Sequence, residues 1–112
     1  LEPLMERMNE QMYERLAAEG EFFKNLIGPI FGQDDTFLRI ATQAIYQLNM
    51  ELIPKTTTLE DDWHTDYIAY FFASSQAMLM QKWVADGMRV SPKELADLYG
   101  SVTGTFWRSI AK

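Results

Sequence analysis

The stretch KWVADGMRVSPKELADL, which covers residues 82–98, constrains the fold more than any other part of the chain. Gly87 suits the left-handed backbone position just past a helix end, because it has no Cβ atom. Asp86 is then the C-cap residue. Trp83 and Met88 occupy the two positions that usually make an apolar contact in a Schellman ending. The first half of the stretch therefore predicts where a helix stops.

The second half of the same stretch predicts where the next helix starts. The Ser91 hydroxyl can accept a hydrogen bond from the backbone N–H of Glu94, while the Glu94 side chain reaches back to the N-cap backbone. Pro92 suits the first helical position, and Val90 can pack on Leu95 as a hydrophobic staple. Together the two halves predict a tight αα-hairpin.

Composition limits the class of protein. The chain has 112 residues, 47% of them hydrophobic, which predicts one globular domain spanning residues 1–112. It has no cysteine, which excludes disulfides, thiolate metal sites and a cysteine nucleophile, and agrees with the cytoplasmic location that we expect. The net charge of -6 argues against direct binding of nucleic acid, because phosphate contacts need clustered Lys and Arg.

Apolar residues recur at helical spacing along nearly the whole chain, and no segment alternates as a strand would. The pattern predicts an all-α bundle of about five helices, the last two forming the hairpin. We expect an amphipathic helix from Pro3 to near Gly20 and a short helix over Phe22–Ile27. A third helix is capped by Asp34 or Asp35 and ended by Pro54, and a long fourth helix over Leu59–Asp86 is capped by Thr57 or Thr58. The last helix has an apolar stripe formed by Leu95, Leu98, Tyr99, Val102 and Phe106.

The long helix has more apolar surface than one small core can absorb. Its uncharged run, Tyr67–Gln81, is too short for a membrane span but is apolar almost all round. This pattern favours packing against a second subunit. On the last helix, Ala96, Gly100, Thr103 and Gly104 form a small-residue face that another helix could approach closely. Alternatively, the two glycines only mark the end of a fraying helix.

The sequence resembles the C-terminal ligand-binding and dimerisation domain of TetR-type transcriptional regulators, especially the subgroup common in Firmicutes. The resemblance covers nearly the whole chain. Its specific part is an uncharged helix that ends in Lys-Trp, followed by a Gly, by a helix start at Ser-Pro and by the residues Glu-Leu-Ala. The matching residues are Lys82, Trp83, Gly87, Ser91, Pro92, Glu94, Leu95 and Ala96. The chain departs from the family pattern at Ser74 and Ser75, where a glycine is expected in the middle of the long helix.

The resemblance implies that the last two helices pair with their copies in a dimeric four-helix interface. We expect that interface to include Ser75, Leu79, Trp83, Leu95, Ala96, Tyr99, Gly100 and Thr103. It also implies an N-terminal helix-turn-helix domain that reads DNA. The sequence begins at Leu1 without such a domain, so we interpret it as a fragment that does not bind DNA by itself. The whole regulator is expected to be a repressor.

The expected dimer can adopt two relative arrangements of its subunits. A small molecule in the helical core would favour the arrangement that it binds with higher affinity. No enzyme activity and no cofactor are needed. Candidate residues for the walls of such a pocket are Met8, Met12, Phe23, Gln43, Gln47, Trp63, Tyr67 and Phe71. The competing interpretation is that apolar residues at helical spacing simply form the core.

Catalytic and metal sites find little support in the sequence. The segment EDDWHTD, residues 60–66, places Asp61 and His64 on one helix face and could hold a divalent metal. Acidic residues after a helix cap also interact favourably with the helix dipole, which explains the cluster without a metal. The chain has no HExxH motif, no phosphate-binding glycine loop and no serine with a histidine at motif spacing.

Two functions from different classes remain. The first is the effector-sensing and homodimerisation domain of a regulator. The second is a freestanding helical module that grips a partner's amphipathic helix in an apolar groove. Both account for an acidic, cysteine-free helical domain with excess apolar surface.

Overall fold

A computed structural model describes residues 2–19 and 36–112, with side chains from residue 6 onward in the first range. The described residues form four helices: α1 (Glu2–Ala18), α2 (Thr36–Thr56), α3 (Asp62–Ala85) and α4 (Pro92–Ile110). The all-α prediction is confirmed as a helical bundle. The short helix predicted over Phe22–Ile27 and the cap at Asp34 or Asp35 lie outside the described residues. Across the described ranges, no helix is both long enough and apolar enough to cross a membrane.

The helix stop between α3 and α4 has the predicted Schellman geometry. The Met88 N–H donates to the Trp83 carbonyl at 2.8 Å, and the Gly87 N–H donates to the Val84 carbonyl at 3.0 Å. Gly87 has φ +88° and Met88 has φ +55°. The Trp83 indole N–H adds a bond that the sequence did not predict, because it donates to the Val90 carbonyl at 3.0 Å. Trp83 therefore fastens both ends of the turn.

The helix start of α4 also agrees with the prediction. The Glu94 N–H donates to the Ser91 hydroxyl at 3.1 Å, and the Ser91 N–H donates to the Glu94 carboxylate at 3.1 Å. Pro92 is the first helical residue. The capping box is thus complete.

The predicted end of α2 is wrong by one half-turn. Pro54 was expected to end the helix, but α2 continues to Thr56. The φ angle of proline suits a helix, so in the last turn its missing N–H removes one bond without ending the helix. The hydroxyls of Thr56 and Thr57 then donate to the carbonyls of Leu52 and Ile53 at 2.7 and 2.6 Å.

The predicted start of α3 is wrong as well. Neither Thr57 nor Thr58 caps the helix, which begins at Asp62 after an N-cap residue, Asp61, that makes no side-chain capping bond. Thr57 instead pairs with Ala111 in an isolated antiparallel bridge. The backbone N–H of Thr58 donates to the Ile110 carbonyl at 2.8 Å, which holds the linker extended.

The core lies where the helix pair α2 and α3 meets the pair α1 and α4. One cluster surrounds Trp83, whose ring meets Tyr13 edge-on with centroids 5.8 Å apart. A second cluster surrounds Phe72, whose ring centroid lies 4.7 Å from that of Trp107. These two contacts join α3 to α1 and to α4.

The small-residue face of α4 contacts α1 of the same chain. A Cβ atom built on Gly100 would lie 2.8 Å from a carboxylate oxygen of Glu6. Ala96, Gly100 and Gly104 are buried within the protomer. The sequence suggested either a second subunit or a fraying helix end at this face. Within the protomer the close-approaching helix is α1, and α4 continues past both glycines to Ile110. A contact of this face with a second subunit stays a prediction.

Candidate functional site

A large exposed apolar feature of the described residues is a groove between α3 and α4, which we call the α3–α4 groove. Its volume is about 1280 Å³. Large side chains that line it and remain exposed include Tyr67, Phe71, Met78, Val102 and Phe106. Monomeric soluble proteins seldom leave so many large apolar side chains together in water, so this surface is a candidate interaction site.

The sequence of α3 explains why this surface stays exposed. One side of the helix, with Ala69, Phe72, Ala73, Gln76, Ala77 and Met80, is buried against the other helices. The remaining sides are apolar too, so Tyr67, Phe71 and Met78 point away from the core. On α4 the predicted apolar stripe divides: Leu95 and Tyr99 are buried, whereas Leu98, Val102 and Phe106 are exposed.

A second groove, the α2–α3 groove, lies on the neighbouring side of α3. Its volume is about 720 Å³, and its walls include Ile40, Gln43 and Gln47 from α2. Tyr70, Ser74 and Met78 line both grooves. These three residues therefore form the ridge that separates the two grooves.

The eight pocket candidates from the sequence do not share one cavity. Gln43 and Gln47 line the α2–α3 groove, whereas Tyr67 and Phe71 line the α3–α4 groove. Trp63 is exposed and contacts His64 with its ring tilted, the ring centroids lying 3.8 Å apart. Of the others, Met8 and Met12 are half-buried on α1, and Phe23 lies outside the described residues.

The eight dimer candidates fall into two groups. Trp83, Leu95, Ala96, Tyr99 and Gly100 are buried inside the protomer, so they have little surface left to offer a second subunit. Ser75 and Thr103 are half-buried and line the α3–α4 groove. Leu79 is half-buried against both core clusters. Participation of the eight residues in a dimer stays a prediction.

A buried polar cluster links α1, α3 and α4. The Gln76 side-chain amide donates to the Asn9 side-chain oxygen, and both residues are buried. Next to them, the Tyr13 hydroxyl makes no hydrogen bond of good geometry. Burial raises the pKa of Tyr13 well above its usual range, and the neighbouring Gln76 amide opposes that rise. Burial likewise raises the pKa of Tyr99, whose hydroxyl donates to the Phe72 carbonyl at 3.3 Å.

Two polar contacts fix α2 against α3. The Tyr46 hydroxyl donates to the Asp66 carboxylate, and this hydrogen bond raises the pKa of Tyr46. One turn further along α2, the Asn49 amide donates to the Ala69 carbonyl at 3.2 Å. The helix pair that carries the α2–α3 groove is therefore held in one register.

The acidic segment at the start of α3 contains a local contact between an imidazole and a carboxylate. His64 Nδ1 lies 3.2 Å from an Asp61 carboxylate oxygen, and both side chains are largely exposed. In residues 2–19 and 36–112, no three acidic or histidine side chains come together as metal ligands would.

Comparison with known families identifies the class of protein. The family model of a TetR-type transcriptional regulator C-terminal region matches residues 5–103. The chain belongs to the TetR family of transcriptional regulators and represents their C-terminal region. No curated protein and no solved structure gives a significant match.

The match to the TetR regulator family covers most of both grooves. Residues 5–103 contain the whole of α2 and α3 and the first part of α4, including Val102 and Thr103. Groove residues that were absent from the sequence-based site predictions include Tyr70, Met78, Val102 and Phe106. Their helical spacing was visible, but α3 is apolar on several sides and its sequence does not say which side the core covers.

Proposed function

We propose that this chain is the homodimerisation and effector-sensing domain of a TetR-type transcriptional regulator, with the α3–α4 groove as its dimer interface. The single observation that carries the proposal is the row of large exposed apolar side chains along both helices of the hairpin. Tyr67, Phe71 and Met78 on α3 face the same groove as Val102 and Phe106 on α4.

A second copy of the chain is a suitable cover for this groove. Two hairpins related by a twofold axis would bring α3 and α4 of each copy together as four helices, so that the same patch meets itself. Removing a large apolar side chain from water contributes about 1.5–3 kcal/mol when burial is complete. Several such side chains are needed, because association costs at least about 4 kcal/mol in lost freedom of motion.

The oligomeric state of two charge variants tests the interface. Val102→Glu places a charge in the α3–α4 groove, whereas Ile40→Glu places the same charge in the α2–α3 groove. Both positions are well exposed, at 74% and 63%, so neither change should unfold the chain. We expect sedimentation velocity to show a dimer for the wild type and for Ile40→Glu, and a monomer for Val102→Glu.

Other outcomes have distinct meanings. A dimer that survives Val102→Glu but dissociates with Ile40→Glu would move the interface to the α2–α3 groove. A wild type that stays monomeric at high concentration would contradict the dimer and would favour a module that binds the amphipathic helix of another protein.

The α2–α3 groove is the better candidate for the effector, because a dimer formed through the other groove leaves much of it open. Gln43 and Gln47 lie one helical turn apart along its wall, and each carries an amide that can both donate and accept hydrogen bonds. The rest of the wall is mainly apolar, with Ile40, Ala44 and Met78, and it also includes Arg39. This combination suits a largely apolar molecule with a few polar groups that hydrogen-bond to the two amides.

A thermal-shift screen of neutral aromatic ketones, amides and phenols tests the effector site. A compound that binds the folded state raises the melting temperature by mass action. For any compound that does so, we expect Gln43→Ala together with Gln47→Ala to weaken binding about tenfold, the effect of losing roughly 1.4 kcal/mol of hydrogen bonding. The matched control is Gln11→Ala, an exposed glutamine on α1. Equal losses in both variants would contradict the assignment of the groove.

The proposed regulation needs no chemical reaction. An effector that binds the two dimer geometries with different affinity shifts the population between them, and the shift changes the spacing of the DNA-reading domains that the family resemblance implies. We propose that the regulator acts as a repressor. DNA contact would be made by those domains and not by the acidic helices described above.

A further inference from the structure

A small cavity lies at the contact between α1 and α4, and it shares Thr103 with the α3–α4 groove. Its volume is about 10 Å³, and its walls include Glu6, Asn9, Tyr99, Gly100, Thr103 and Trp107. About one water-sized probe fits in a cavity of this volume, so an organic ligand is too large for it.

The wall of this cavity includes a buried hydrogen-bond donor with no protein partner. Trp107 is only 3% exposed, and its indole N–H has no acceptor within the described part of the chain. A buried donor without a partner costs about 1–3 kcal/mol, so native proteins seldom leave one unsatisfied. The other buried indole, Trp83, donates to the Val90 carbonyl. Trp107 therefore needs an acceptor that the described protein atoms do not supply.

The same wall offers acceptors to a molecule that binds Trp107. The half-buried Glu6 carboxylate lies close enough to Gly100 that an added Cβ atom would meet its oxygen at 2.8 Å. The Thr103 hydroxyl donates to the Tyr99 carbonyl at 2.8 Å, so its oxygen lone pairs remain free to accept. A buried water is stable when it has about two to four polar partners, and the residues that line this cavity carry one unpartnered donor and two acceptors.

We propose that one ordered water molecule occupies this cavity, accepts a hydrogen bond from the Trp107 indole N–H and donates to the Glu6 carboxylate. The water would bridge α1 to α4 at the glycines of the small-residue face. A bridging water can reorient and form its bonds again after a small displacement of a helix, whereas a direct contact between side chains is lost. The contact between α1 and α4 would then tolerate small shifts.

Nuclear magnetic resonance of the wild-type protein tests this proposal, since the chain has three tryptophans that serve as each other's controls. Indole N–H signals are assigned with Trp63→Phe, Trp83→Phe and Trp107→Phe. Rotating-frame Overhauser spectra at the water frequency then separate dipolar contact with bound water from chemical exchange by the sign of the cross-peak. We expect a dipolar cross-peak from bound water for Trp107, exchange only for the exposed Trp63, and neither for Trp83.

A second variant excludes transfer through a neighbouring hydroxyl. Thr103→Val removes the hydroxyl and keeps the shape of the side chain, so a cross-peak to a true bound water must persist at Trp107. Loss of that cross-peak in Thr103→Val, or its absence in the wild type, would overturn the proposal.

Discussion

At the scale of single residues, Trp83 shows why a tryptophan occupies the joint between α3 and α4. Its ring packs edge-on against Tyr13, and its N–H donates to the Val90 carbonyl on the far side of the turn. No smaller aromatic side chain provides both the ring surface and a donor at that distance. The turn is therefore fixed by the core as well as by its own capping bonds.

Replacing Trp83 with phenylalanine should destabilise the fold without dissociating a dimer. The change removes buried ring surface and a hydrogen bond, so we expect the free energy of unfolding to fall by about 2–3 kcal/mol in urea titrations. Trp63→Phe is the control, since Trp63 is 62% exposed and should change stability by no more than about 0.5 kcal/mol. A monomeric Trp83→Phe variant that keeps its stability would instead place Trp83 in the dimer interface.

Tyr13 gives a prediction about alkaline pH. Burial holds its folded-state pKa above the ordinary value of 10.0, so above that pH the unfolded chain releases the phenol proton while the folded chain keeps it. The stability linked to Tyr13 is therefore complete below pH 10 and is lost as the pH rises further, by at most about 1.4 kcal/mol per pH unit.

Tyr13→Phe tests this linkage. At pH 8 we expect a small change in the free energy of unfolding, under about 1 kcal/mol, because the lost hydroxyl made no hydrogen bond of good geometry. Between pH 10 and 11 the variant should lose stability more slowly than the wild type in urea titrations. Parallel pH profiles would show that the Tyr13 phenol does not limit alkaline stability.

Single residues were predictable from the sequence where their roles are local. The conformation of Gly87 and the cap at Ser91 depend on neighbours within a few positions, and both predictions are confirmed. The bond from Gln76 to Asn9 joins positions far apart in the chain, and nothing in either neighbourhood indicates it.

At the scale of helices and turns, the capping box of α4 gives a prediction with an internal control. Ser91→Ala removes the acceptor of the Glu94 N–H and should lower the free energy of unfolding by about 1 kcal/mol. Ser101→Ala is the control, because this exposed serine lies in the middle of α4, where alanine favours the helix slightly. Circular dichroism during thermal unfolding should show a lower melting temperature only for Ser91→Ala.

The errors in helix boundaries have a common physical cause. Thr57 is a residue type that often caps helices, but its backbone pairs with Ala111, which is far from it in the sequence. In the same way, the glycines of α4 indicated a close helix contact without indicating that α1 would make it. Local signals indicated that these residues have a special role, and long-range packing decided which role it is.

At the scale of the whole molecule, the exposed α3–α4 groove predicts that stability depends on concentration. If two copies cover each other's groove, association stabilises the folded state and the melting temperature should rise with protein concentration. Calorimetry over a hundredfold range of concentration should show the rise for the wild type and a constant value for Val102→Glu. A constant value for the wild type would contradict a dimer linked to folding.

The candidate site was predictable only in outline. The apolar residues of α3 predicted more apolar surface than the core can cover, and Phe71 and Met78 in the α3–α4 groove are exposed. That a partner binds there stays a prediction. The prediction named Trp83 and Leu95 for the surface, but both lie in the core. A helix that is apolar on several sides does not encode which side its neighbours will cover.

Two backbone amides beside the bridge between Thr57 and Ala111 can report, by hydrogen exchange, the separation of the two segments that the bridge joins. The N–H groups of Thr58 and Lys112 donate across it, to the carbonyls of Ile110 and Thr56, at 2.8 and 3.1 Å. These hydrogen bonds join the linker before α3 to the end of α4. The two amides therefore exchange with deuterium when the linker and the helix end separate. Their isotope uptake therefore reports how often the two segments separate, with no label attached to the protein.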